Sequence, residues 1–142
     1  MATSLTFTAA PFMSASFLPS SSQLTPIHIA KGNDTGARIY GIAIQTNSTT
    51  APVMVLSYSS SAGLYRISTL SVTAASGFTA GTATFDYFGN AVAAGLFQKQ
   101  KDANGVPYFN LPSDSSLTMN TTSSVFISSG ATASIFVMGE LY

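Results

Sequence analysis

The side chains able to move a proton or hold a metal are few. Five carboxylates (Asp34, Asp86, Asp102, Asp114 and Glu140) and one imidazole, His28, are spread over 142 residues, and there is no cysteine. Thiolate metal sites, thiol nucleophiles and disulfides are therefore excluded. A Ser-His-Asp triad would need His28 as its base. His28 lies in Pro-Ile-His-Ile-Ala, pointing opposite Ile27 and Ile29, as a strand residue facing solvent or an interface does. No Gly-x-Ser-x-Gly elbow accompanies it. A glycosidase needs two acids about 5–9.5 Å apart, and Asp86 with Asp102 is the one pair worth weighing. The simpler reading of the acids is as solvated turn residues beside Asn, Ser, Gly or Ala. The oxygen-rich runs Asn33-Asp34-Thr35-Gly36 and Asp102-Ala103-Asn104-Gly105 lack the spacing of a calcium loop and read as turns. The expectation is a protein without catalytic residues, metal or cofactor.

Aromatic residues are the remaining chemical signal: Tyr58, Tyr65, Tyr87, Phe88, Tyr108, Phe109 and Tyr142. Tyrosine joins apolar area to a polar tip and suits interfaces; in a β domain, aromatic rings also stack on sugars. Tyr65, Tyr87, Phe88, Tyr108 and Tyr142 are the candidates for a partner or oligomer contact. A second group lies in residues 1–25, where Leu5, Phe7, Phe12, Met13, Phe17 and Leu18 sit among Ala, Ser, Thr and Pro, with no charge before Lys31. Their spacing fits no helix. The segment reads either as an edge strand at residues 5–8 followed by a loop, or as an extended arm whose apolar residues lie on a neighbouring subunit. The arm reading predicts that deleting residues 1–25 leaves a folded domain that no longer attaches.

The elements that must position these residues are strands. Period-two alternation or β-rich composition marks residues 26–30, 38–46, 53–59, 64–72, 82–87, 108–111, 116–119, 124–128 and 132–138, with turn clusters between them. Tyr40, Ile42 and Ile44 are expected on one face of their strand, and Met54, Leu56 and Tyr58 on one face of theirs. Ile135 and Val137 oppose Phe136 and Met138, so the last strand is apolar on both sides. Residues 85–112 lack Ser and Thr entirely, and residues 91–101 there have room for one or two helical turns. About eight short strands predict an all-β, antiparallel sandwich, jelly-roll-like, spanning residues 26–142.

Only 7% of the residues are charged and the net charge is zero, against about 25% in an ordinary soluble domain. No basic excess exists to neutralise phosphates, which argues against nucleic acid, and no apolar run approaches the ~20 residues that span a bilayer. The first ten residues carry no Lys or Arg and do not read as a secretory signal. With so little electrostatic protection against association, the chain is expected to work inside an assembly that covers its surface.

From residue 37 on, the sequence resembles small structural proteins of tailed bacteriophages. The pieces that carry the resemblance are Ala91-Val92-Ala93-Ala94-Gly95-Leu96, the run Asp102-Ala103-Asn104-Gly105-Val106-Pro107-Tyr108, Asn110-Leu111-Pro112 and Gly139-Glu140-Leu141-Tyr142, with the strands at 38–46 and 53–59. The resemblance implies a capsid decoration, or cement, protein, made in the host cytoplasm and carried on the virion surface. It would be a homotrimer seated over joints between major capsid proteins. The alternatives are a tail-fibre, baseplate or neck component, or a carbohydrate-binding module.

Overall fold

The structure is a computed structural model, and it describes residues 10–31, 36–78, 81–93, 100–101, 105, 107–112, 115–122 and 126–141. In chain order the strands are β1 (Ala10–Pro19), β2 (Ile27–Lys31), β3 (Ala37–Thr46), β4 (Val53–Ser60), β5 (Gly63–Ser71), β6 (Phe85–Asp86), β7 (Gln100–Lys101), β8 (Pro107–Leu111), β9 (Ser116–Thr121) and β10 (Thr132–Leu141). A 3-10 turn covers Ser20–Ser22, and a helix, α1, covers Tyr87–Ala93. The protein is all-β, with two antiparallel sheets.

The strand order identifies a jelly roll. One sheet runs β1-β10-β3-β8, with β7 beyond β8 and β6 beside β3; the other runs β2-β9-β4-β5. The first and last strands pair, then the second and second-last long strands, then β3 with β8, and finally β4 with β5. A long two-stranded ribbon is thus rolled up, and the contacts β10-β3 and β9-β4 close the roll. Ile39, Ile42, Ile44, Ile135 and Val137 from one sheet meet Met54, Leu56, Leu117 and Met119 from the other, all fully buried. The ten-residue strands β3 and β10 supply the alternation that makes this possible.

Several sequence expectations meet corrections. Tyr40 does not share a face with Ile42 and Ile44. The β10 register passes from Gly139 opposite Ile39 to Met138 opposite Gly41, so Tyr40 is an extra residue that reverses the alternation. The strand expected at 82–87 shrinks to Phe85–Asp86, because Asp86 Oδ1 accepts Gly89 N–H (2.9 Å) and starts a helix there. The helix consequently begins at Tyr87, ahead of the expected 91–101, of which 94–99 lie outside the described residues. Residues 126–128, expected in a strand, are irregular. In the N-terminal segment, Ala10–Pro19 is an edge strand paired with β10 over its whole length, and the strand expected at 5–8 lies outside the described residues.

Candidate functional site

The residues expected at an interface divide by burial. Leu18, Tyr87 and Phe88 are buried within the chain itself and belong to its core. Leu18 points inward because side chains alternate along β1, with its neighbour Phe17 on the outer face. Tyr87 and Phe88 follow the Asp86 cap, which aims the first turn of α1 into the sandwich. Phe17 is 69% exposed and Tyr65 54% exposed. Tyr108 is half-buried, with the Arg38 guanidinium 4.5 Å from its ring centre and Tyr40 at 6.1 Å. Phe12 and Met13 lie in β1. Leu5, Phe7 and Tyr142 lie outside the described residues.

Two surfaces emerge from this arrangement. The first is the outer face of the β1-β10-β3-β8 sheet. Phe17 opposes Ser134, Phe136 sits between Ala15 and Ala43, and Met138 lies beside Gly41. A Cβ at Gly41 would come 3.0 Å from Met138 Cε, so glycine leaves room for Met138 to lie across β3. Met138 is 42% exposed, and Phe136 and Ala43 are half-buried. Phe17, Phe136 and Met138 thus form an apolar patch on a face that is ordinarily polar, with Ser134 and Gln45 beside it and the cross-strand pair Arg38 and Glu140 beyond Met138.

The second surface is the end of the sandwich where the turns at 20–26, 47–52 and 126–131 meet. Neutral hydrogen bonds join them. Gln23 is nearly buried; its Nε2 donates to Ser20 O (3.1 Å) and Ile127 O (3.3 Å), and its Oε1 accepts Ile127 N–H. Ser48 Oγ donates to Thr50 O (2.8 Å) and accepts Ser128 N–H (3.0 Å). Thr50 Oγ1 donates to Phe126 O (2.7 Å) and Gly130 N–H reaches Ser20 Oγ (3.1 Å). Hydroxyls and the amides of Gln23 and Asn47 satisfy backbone groups here, which gives several of the chain's Ser and Thr residues a structural role. An open groove of about 700 Å³ lies here, lined by Ser21, Thr50, Phe126 and Ser129 among others.

The groups considered for catalysis have structural partners. His28 is exposed, and its Nδ1 lies 2.9 Å from Ser116 Oγ across the β2–β9 pairing. Asp86 caps α1, and Asn90 Nδ2 donates to its carbonyl (2.7 Å). Asp102 lies outside the described residues. Among the described residues no three His, Asp or Glu side chains gather as a metal site would require. Among the described residues the strongly shifted group is Tyr87: burial pushes its hydroxyl from the ordinary 10.0 up to about 12, against a smaller downward pull from the Ser68 hydrogen bond. That hydroxyl lies 3.0 Å from Ser68 Oγ and donates to Met54 O (3.0 Å), tying α1 to the opposite sheet. Reasoning from the sequence missed Gln23, whose neighbours Ser21, Ser22 and Leu24 give it no distinguishing pattern, and Gly41, whose role exists only beside Met138. No family model matches this sequence, and no curated protein matches it.

Proposed function

We propose that this protein is a structural component of a phage particle, a jelly-roll decoration domain lying on the outside of the head and bracing joints between major capsid proteins. The observation that carries the reading is the apolar patch of Phe17, Phe136 and Met138 on the outer sheet face, with Phe17 69% exposed, on a chain that is 7% charged. The double-sheet jelly roll, a shape common among viral capsid domains, supports it. Attachment works by burial: covering a side chain the size of Phe17 contributes roughly 1.5–3 kcal/mol, and several copies on one shell add avidity. The test is to purify particles assembled by the genome that encodes this chain, separate heads from tails, and quantify it in each. Fixed stoichiometry with the head shell is expected. Recovery with tails favours a tail component, and absence from particles rejects the proposal.

A second reading rests on Tyr65, which is 54% exposed beside Tyr58 at 6.4 Å. An exposed tyrosine backed by the half-buried Tyr58 is a stacking surface for a neutral sugar. A glycan array tests it, with Tyr65→Ala expected to abolish any signal.

A further inference from the structure

β1 ends its sheet, so along one side its backbone has no neighbouring strand among the described residues. The pairing with β10 fixes which residues face that side. Ser20 donates its N–H to Ala131 O (3.2 Å), continuing the β1–β10 register by one residue. Hydrogen-bonded and non-bonded pairs alternate along an antiparallel ladder. Leu18, Ser16, Ser14 and Phe12 therefore exchange bonds with β10, and Pro19, Phe17, Ala15, Met13 and Pro11 turn their backbone groups to the open side. The prolines agree with this phase, because proline is tolerated in a strand where its missing N–H would have faced outward. The side chains of the same residues alternate between the two faces, with Leu18 buried and Phe17 and Ala15 exposed.

The open side thus offers N–H donors at Met13, Ala15 and Phe17, with Pro11 and Pro19 placed symmetrically about Ala15. β1 contains no charged residue. Its ladder with β10 runs from Ala10 to Pro19 without a bulge, whereas β10–β3, β2–β9 and β4–β5 are all interrupted. Charges, bulges and prolines are the devices that keep an edge from pairing with another chain; β1 has no charge and no bulge, and its two prolines stand towards its ends and leave Met13, Ala15 and Phe17 between them free to donate.

We propose that the occupant of this edge is a second copy of the chain, its β1 pairing antiparallel with the first about a two-fold axis at Ala15. In that register Ala15 faces Ala15 of the second copy and Met13 faces Phe17, each pair exchanging both N–H···O bonds. The two strands overlap along the whole stretch from Pro11 to Pro19, and every outward donor is used. The prolines meet at the two ends, where no donor is left over. Such a contact is self-complementary and closes at two copies, unlike the trimer that the phage resemblance implies. The proposal does not rest on attachment to a shell.

The experiment uses the full chain. Native mass spectrometry and light scattering over a concentration series are expected to give a dimer. Amide exchange at Met13, Ala15 and Phe17 is expected to slow at least about tenfold as the dimer forms. Ala15→Pro removes the central outward donor and none of the bonds to β10; Ala15→Lys keeps the backbone and adds an edge charge. Each is expected to weaken the dimer by about tenfold or more with the circular dichroism spectrum unchanged for Ala15→Lys. A monomer at every concentration, a trimer, a dimer that Ala15→Lys leaves intact, or protection of the three amides in a monomer would each overturn the proposal.

Discussion

Tyr87 carries a hydroxyl into the space between the sheets, and that hydroxyl makes the fold sensitive to alkali. Its folded pKa of about 12 lies above the ordinary 10.0. Above pH 10 the unfolded chain gives up the proton more readily than the folded one, so this contribution is complete below pH 10 and is lost as pH rises towards 12. The loss amounts to at most about 3 kcal/mol. Tyr87→Phe should cost about 1–3 kcal/mol at neutral pH, by leaving Met54 O and Ser68 without their partner. Denaturant titrations from pH 8 to 12 should then show the gap between parent and variant narrowing. Phe17 is the opposite case, an apolar side chain that the isolated fold leaves in water. Phe17→Ser should shift stability by no more than about 0.5 kcal/mol. The same change should weaken attachment to shells about tenfold or more, measured by co-sedimentation.

At the scale of elements, α1 depends on its cap. Asp86→Ala removes the acceptor for Gly89 N–H and should cost about 1 kcal/mol in thermal or chemical unfolding, with Asp86→Asn retaining most of it. The N-terminal segment gives the sharper correction. Because β1 completes the sheet, Leu18 fills the core and Gln23 ties two turns together, deleting residues 1–25 should expose β10 and abolish cooperative unfolding. This is the opposite of the folded remainder that the arm reading predicts, and circular dichroism of the truncated chain decides between them. The strands β3 and β10 were legible in the sequence because residues 41–46 and 132–138 alternate with one face buried, and β4 because its run 53–58 is rich in strand-forming types. What was not legible depends on distant partners. Tyr40 is displaced by the register of β10, some hundred residues away in the chain, and Ile127 is held by Gln23 rather than by a strand. The start of α1 was hidden because Tyr87 and Phe88 are strand-forming types, and only the Asp86 cap turns them into a helix.

At the scale of the whole molecule, the scarcity of charge and the abundance of Ser and Thr have one physical consequence. The fold is held largely by burial and by neutral hydrogen bonds, and the exposed patch around Phe17 and Met138 is of the same kind. A contact of that kind is insensitive to screening, whereas one built on exposed charges fades as the Debye length shortens. The measurement that tests this most directly is co-sedimentation of the purified chain with shells prepared without it, at low and at moderate ionic strength. The account predicts saturable attachment with the same midpoint at both. Attachment that collapses as salt is raised, or no attachment at either, would contradict it.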